Sequence, residues 1–148
     1  MPPKARITAE MIIEAAFAIV RKQGAEALNA RTIAQELGCS TQPVLYQFAT
    51  VEDVRRAAYA YADDFHGQSI MQGLEESPMP LLTLGQNYIR FAAQEQHLFR
   101  FLFQSAGLSS GNLLTLMEDP ALAPILSIIQ QAMDISPEAA RRIFTHLF

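Results

Sequence analysis

The chain has 148 residues, 50% of them hydrophobic, and a formal net charge of −4. This length and composition suit one all-helical body, or a small head fused to a modest second part. One cysteine excludes a disulfide framework. Because we find neither a secretory signal nor an apolar run of membrane length, we expect a cytoplasmic protein with no membrane partner.

The first predicted helix begins after Thr8, whose hydroxyl can accept a backbone hydrogen bond as the N-cap. Ile7 and Ile12 are spaced for a hydrophobic staple across that cap, and Gly24 is expected to end the helix. Leu28, in the connector that follows, is expected to enter the core. The apolar face of the helix is predicted to consist of Ile12, Ala15, Ala16, Ile19 and Val20.

Residues 30–48 indicate two short helices separated by a tight turn. Asn29 is predicted to cap the first helix, and Gly38 suits the left-handed position at its end. Ser40 is predicted to cap the second helix, where Pro43 falls in the first turn and its missing N–H costs nothing. Two helices joined by a short turn that contains glycine are typical of a helix-turn-helix, which can enter a DNA major groove.

The second helix of this motif is predicted to turn Val44, Leu45 and Phe48 inward. Its outward residues are then Thr41, Gln42, Tyr46 and Gln47. Residues 1–56, which include the motif, have a net charge of +1, whereas residues 57–148 have a net charge of −5. The basic side chains therefore gather around the motif, and we expect a moderate non-specific affinity for DNA.

A long fourth helix is predicted from about residue 51 towards residue 75, with Thr50 and Asp53 forming a partial capping box. Pro80 suits the first position of a fifth helix, because its missing N–H is not needed there. The side chains expected on the buried face of the fourth helix are Val54, Ala57, Ala58, Tyr61, Phe65 and Ile70.

The C-terminal part continues with helical patterns. Residues 94–96 are the predicted break before a short apolar helix, and residues 106–112 indicate a loop. Asp119 and Ser136 are each followed by proline and indicate two further helix starts. We find no strand pattern, so the predicted fold class is all-α.

Three segments occur in an order and at spacings that resemble the tetracycline-repressor (TetR) family of bacterial transcriptional regulators. They are Ile-Thr-x-Glu-x-Ile-Ile-x-Ala-Ala at residues 7–16, Thr-Ile-Ala-x-x-Leu-Gly at residues 32–38 and Leu-Tyr-x-Phe at residues 45–48. The resemblance implies a three-helix DNA-binding head at residues 1–50. It also implies a helical ligand-binding and dimerisation domain at residues 51–148, which begins with a linking helix at about residues 51–75.

The resemblance also implies which residues meet a double-stranded DNA operator. Thr41, Gln42 and Gln47 would face bases, and glutamine can pair with adenine through two hydrogen bonds. The alternative is that these are solvated polar residues of a small helical bundle. One departure from the family pattern is Val51, which stands where a lysine usually meets a DNA phosphate. The complete set of expected DNA contacts is Arg31, Thr32, Thr41, Gln42, Pro43, Tyr46 and Gln47, with Tyr46 and Thr32 at phosphates and Arg31 either at a phosphate or simply exposed.

An aromatic group in the C-terminal part could line a pocket for a small apolar effector, although such a stripe can also be only core. The residues assigned to this pocket are Tyr59, Phe65, Tyr88, Phe91 and Phe101. His66, with Asp63, has half the spacing of a di-iron motif, and we interpret it as part of a solvated face because a second motif is missing. We expect no metal, no cofactor and no enzymatic activity, since no catalytic spacing is found.

The last predicted helix, which begins after Ser136, ends on an apolar stripe that includes Phe144 and Phe148. We expect this end to be an interface of a homodimer and the chain to be truncated at residue 148. The alternative is that the stripe packs on the chain's own Leu126, Ile129 and Met133.

The sequence therefore predicts a DNA-binding transcriptional regulator, namely a repressor that a small-molecule effector releases from its operator. The competing hypothesis is a helical protein–protein interaction module without DNA binding, and a small helical enzyme ranks third. The charge difference between the two parts of the chain favours the first hypothesis, because a module that binds only protein does not need it.

Overall fold

A computed structural model describes residues 6–104 and 120–147, and this part of the chain is helical without any strand, which confirms the all-α class. No helix in these ranges is both long and apolar enough to cross a membrane. The predicted loop at residues 106–112, the cap at Asp119 and the side chain of Phe148 lie outside the described residues. The helices are α1 (Ala9–Gln23), α2 (Ala30–Leu37), α3 (Gln42–Gln47), α4 (Val51–Met71), α5 (Pro80–Gln94), α6 (Gln96–Phe103), α7 (Ala123–Met133) and α8 (Pro137–Leu147), with 3-10 turns at Ala25–Ala27 and Pro120–Leu122.

Most predicted helix ends are confirmed. Thr8 Oγ1 accepts the Met11 N–H at 3.2 Å, and Thr50 with Asp53 forms a reciprocal capping box at the start of α4. Asn29 forms the equivalent box at the start of α2. Gly38 ends α2 with a φ of +65°, the left-handed conformation that glycine adopts without steric cost.

Two predictions about α3 are wrong. Ser40 does not cap this helix, because Thr41 is the N-cap residue, and it has helical backbone angles and no capping hydrogen bond from its side chain. Leu45 does not face inward, since it is 54% exposed. Val44 is the only residue of this helix that is fully buried, whereas Pro43 and Gln47 are half-buried.

Helix α4 differs from the prediction at its end and on its buried face. It stops at Met71 instead of continuing to about residue 75, because Gln72 has an extended backbone and Gly73 has a φ of +73°. Tyr61, predicted to be buried, is 41% exposed. The buried residues follow a strict spacing of four positions and are Val54, Ala58, Ala62, His66 and Ile70.

The larger hydrophobic core contains buried side chains from every helix from α1 through α6. The buried face predicted for α1 is confirmed, because all five of its side chains are buried. The same cluster includes Ile33 of α2, Val44 of α3, Val54 of α4 and Phe101 of α6. The domain boundary at residue 50 stays a prediction, and buried side chains from both sides of it belong to one cluster.

A smaller cluster is formed by α7 and α8. Phe144 is only 6% exposed and packs with Leu126 and Ile129, as the self-packing alternative predicts for this side chain. Met133 does not belong to the cluster, because it is 48% exposed at the end of α7. Leu81 of α5 packs against the cluster at its edge, which places α7 and α8 beside α5.

Candidate functional site

The first candidate surface is the exposed side of α3, which the turn after α2 presents. The left-handed Gly38 allows the N–H groups of Gly38 and Cys39 to donate to the last carbonyls of α2, so the chain reverses within a few residues. Val44 then anchors α3 to the core with 2% exposure. Gln42 and Tyr46 lie on the opposite side, and Tyr46 is 83% exposed.

The predicted DNA-contacting residues divide into two groups. Arg31, Thr41, Gln42 and Tyr46 are exposed, whereas Pro43 is half-buried in the first turn of α3. The side chains of the remaining two, Thr32 and Gln47, form hydrogen bonds within the head.

The polar groups of Thr32 and Gln47 position the helices of the head. Thr32 Oγ1 donates to the Ala27 carbonyl at 2.7 Å and accepts the Asn29 N–H at 3.1 Å. Gln47 Nε2 donates to the Ile7 carbonyl at 3.2 Å, which ties α3 to the segment before α1. These contacts indicate that both side chains hold the head together, and their predicted contacts with DNA remain predictions.

A groove with a volume of about 860 Å³ runs beside α3 and reaches the segment that precedes α1. Arg6 and Ser40 line it together with Gln42, Tyr46 and Gln47. Sequence reasoning did not assign Arg6 or Ser40 to this surface. The only sequence signal for Arg6 is its positive charge, three positions before the first residue of α1.

Several cations of the head and of α4 are held in ion pairs. Lys22 pairs with Glu36 at 3.5 Å, and α4 has i,i+3 pairs between Arg55 and Glu52 and between Arg56 and Asp53. Within residues 6–104, Arg6 and Arg31 are exposed cations of the head for which no ion pair is found. An unpaired arginine keeps all its N–H donors available for a phosphate.

The predicted effector residues do not form one pocket. Tyr59 donates its hydroxyl to the Leu102 carbonyl at 3.1 Å and packs edge-on against Phe101, which is 1% exposed, so both belong to the core. Burial raises the pKa of the Tyr59 hydroxyl. Phe65 and Phe91, in contrast, line one cavity of about 200 Å³ between α4 and α5.

His66 is buried, so the interpretation of this histidine as part of a solvated face is wrong. Its ring lies 4.7 Å from Phe91, 5.2 Å from Phe103 and 6.1 Å from Tyr88, measured between centroids. Its Nε2 is buried without a hydrogen-bond partner among the described residues, and burial lowers the pKa of the imidazole. Its four-residue spacing from Ala62 and Ile70 was the sequence signal for burial.

The junction between α1 and the turn from α5 to α6 is a second feature that sequence reasoning missed. Arg21 Nε donates to the two carboxylate oxygens of Glu95 at 3.1 and 2.9 Å. The Arg21 guanidinium also lies 5.2 Å from the centroid of the Phe65 ring, within the range of a cation–π contact. These residues are far apart in sequence, so no local pattern pairs them.

Comparisons of this chain with models of protein families, with curated proteins and with solved structures found no match.

Proposed function

We propose that this protein is a DNA-binding transcriptional regulator, similar to the TetR family, which represses by occupying a double-stranded DNA operator. The observation that carries the proposal is the exposed side of α3, where Gln42 and Tyr46 project beside a short turn and away from the core. Arg6 and Arg31, for which no ion pair is found among the described residues, add positive charge to the same head. A helix held in this way by its neighbours is suited to enter a major groove.

The repressor would be released when a small-molecule effector binds among the C-terminal helices. Such an effector acts only if its affinity differs between DNA-competent and incompetent arrangements of the head. The contact of Arg21 with Glu95 and Phe65 supports this mechanism, because it connects the head directly to α4 and to the turn after α5.

A helical protein–protein interaction module is the second candidate. It is favoured by Leu82 and Ile89, which are 51% and 69% exposed along α5. Selection of bound fragments from random double-stranded DNA, repeated at several salt concentrations, separates the two functions. A regulator should enrich a sequence motif that survives moderate salt, whereas an interaction module should enrich none.

Gln42 and Tyr46 should have different effects on DNA binding. Gln42 lies at the N-terminal end of α3, so Gln42→Ala should cost roughly 1–3 kcal/mol on the selected operator and relax the choice of one base. Tyr46→Phe removes only the hydroxyl and should weaken binding to all sequences similarly. Binding isotherms on a panel of single-base variants measure both effects.

The control is Gln68→Ala, which truncates an exposed glutamine of α4 at a distance from the groove beside α3. It should leave every isotherm unchanged. Equal losses across the panel for Gln42→Ala would remove this residue from base recognition.

Val51→Lys should strengthen DNA binding. Val51 is the first residue of α4 and is half-buried beside Glu52, at the position where the TetR resemblance implies a lysine. One added phosphate contact should steepen the slope of log K against log salt by about 0.9. Val51→Gln is the neutral control, and a slope that is the same for both variants contradicts the docking of this helix end on a phosphate.

The protein should form homodimers through α8. Because Phe144 is already buried within its own chain, the surface available to a partner is the groove lined by Ala139, Ile143 and His146, with a volume of about 400 Å³. Ile143→Glu places a charge in that groove and should weaken the dimer about tenfold or more. Sedimentation equilibrium at micromolar concentration is the measurement, with Gln131→Glu on the exposed side of α7 as the control. If the unmodified protein sediments as a monomer, the proposed homodimer is wrong.

A further inference from the structure

The cavity between α4 and α5 combines an aromatic floor with a polar rim. Phe65 and Phe91 form the floor, and their ring centroids lie 6.2 Å apart with an interplanar angle of 52°. The rim consists of Ser69, Gln72, Asn87, Arg90, Gln94 and Glu95. With a volume of about 200 Å³, the cavity can hold one small flat molecule but not a large one.

The charges around this cavity are not balanced. Glu95 is neutralised by Arg21, whose Nε donates to both carboxylate oxygens. Arg90 donates through one nitrogen, Nη1, to Asn87 Oδ1 at 3.0 Å, and no ion pair of Arg90 is found within the described ranges. A guanidinium has five N–H donors, so Arg90 retains several for a ligand. The uncompensated charge at the cavity is therefore positive.

We propose that this cavity binds a small aromatic monocarboxylate, whose ring lies on Phe65 and Phe91 and whose carboxylate accepts hydrogen bonds from Arg90. Arginine matches a carboxylate with two parallel hydrogen bonds, and the ring of an aromatic ligand can pack edge-on or offset against Phe65 and Phe91. The carboxamides of Gln72 and Gln94 supply further donors at the rim.

The same ligand is suited to be the effector of the proposed function, and this regulatory part rests on that function. Phe65 lines the cavity and also contacts the Arg21 guanidinium. Glu95 likewise lines the cavity and accepts hydrogen bonds from Arg21. A carboxylate held by Arg90 adds a negative charge to the cavity that Glu95 also lines, and the repulsion between the two carboxylates disturbs the Arg21–Glu95 pair. Binding at the cavity therefore weakens the hydrogen bonds that hold the end of α1 to the turn between α5 and α6.

The test compares benzoate with benzamide, which has nearly the same shape but no charge, by isothermal titration calorimetry on the full chain without DNA. Benzoate should bind about tenfold more tightly than benzamide, since charge-assisted hydrogen bonds are stronger than neutral ones. Benzylamine, the cationic counterpart, should not bind measurably. Equal affinities for benzoate and benzamide, or no binding of benzoate, would overturn the proposal.

Two variants locate the site. Arg90→Gln keeps a donor for Asn87 and removes the charge, so it should abolish the preference for benzoate. Gln94→Glu adds a negative charge at an exposed rim position. It should weaken the binding of benzoate but not the binding of benzamide. Arg100→Gln, an exposed arginine of α6 that does not line the cavity, is the matched control and should retain the tenfold preference. If Arg90→Gln and Arg100→Gln behave alike, benzoate does not bind here.

A separate measurement with operator DNA tests the regulatory part. Saturating benzoate should lower the affinity for the selected operator, and Arg90→Gln should remove this effect while it keeps the basal affinity for DNA. Calorimetry needs no DNA, so a protein that binds benzoate but no DNA rejects the proposed function alone. A protein that binds its operator equally with and without bound benzoate rejects only the effector role.

Discussion

Replacing Asn87 by leucine should lower the free energy of unfolding by roughly 2–5 kcal/mol, because it leaves two carbonyl groups without their donor. Asn87 is 6% exposed on α5. Its Nδ2 donates to the carbonyls of Ile70 at 3.0 Å and Gln72 at 2.9 Å, where α4 ends, and its Oδ1 accepts from Arg90. One side-chain amide therefore closes the end of α4 and joins it to α5.

Urea unfolding of the two proteins measures this effect as a shift of the midpoint. Gln86→Leu, at the exposed neighbouring position of α5, is the control for the change from an amide to an aliphatic side chain. Asn87→Asp adds a second comparison, because it keeps an acceptor for Arg90 but loses both donors to α4. If Asn87→Leu and Gln86→Leu unfold at the same urea concentration, the amide does not stabilise the end of α4.

The stability of the protein should fall as the pH decreases below about 6.5, and His66→Leu should remove part of this dependence. Burial lowers the pKa of His66 in the folded state. Below the ordinary pKa of histidine, the unfolded chain therefore binds a proton that folded His66 does not bind. The free energy of unfolding decreases with falling pH until the pH reaches the folded pKa, where the contribution of this residue levels off.

The slope that one proton contributes cannot exceed about 1.4 kcal/mol per pH unit. The measurement is a set of urea titrations between about pH 5 and pH 7.5, and the quantity compared is the slope of unfolding free energy against pH. Leucine also removes the unpartnered Nε2 atom from its apolar surroundings, so His66→Leu should be more stable than the unmodified protein at the acid end.

Gln68→Leu is the control for the pH experiment, because it places leucine at an exposed position of the same helix, α4, without removing a titratable group. This variant should keep the slope of the unmodified protein. Parallel curves for the unmodified protein and His66→Leu would show that His66 takes up its proton equally in the folded and unfolded chains, contrary to its burial among Phe91, Phe103 and Tyr88.

The helix starts could be predicted because capping depends on residues within three or four positions of one another. Thr8, Asn29 and Thr50 each accept hydrogen bonds from backbone groups of the turn that follows them. The end of α4 could not be predicted in this way, because its hydrogen-bond partner is not a neighbouring residue. The Asn87 side chain donates to the carbonyls of Gln72 and Ile70 at the end of α4, 15 and 17 positions away in the chain, and no local pattern reveals such a partner.

The orientation of α3 could be predicted only in part. With six residues, this helix is shorter than two turns, so its hydrophobic spacing does not distinguish an inward side that includes Leu45 from one that excludes it. Gln42 and Tyr46 were correctly expected to be exposed. Gln47 was expected to face outward, but its amide bonds to the Ile7 carbonyl, 40 positions earlier.

Composition, periodicity and neighbouring residues are enough to predict the all-α class, the buried face of α1 and the caps of α1, α2 and α4. Helix packing, in contrast, is needed to show which aromatic rings surround His66, that Phe65 and Phe91 share a cavity and that Arg21 binds Glu95. The members of each such group lie on different helices, up to 74 positions apart. Their contacts depend on how the helices pack, because a helical pattern indicates which residues share a face and not which face of another helix they meet.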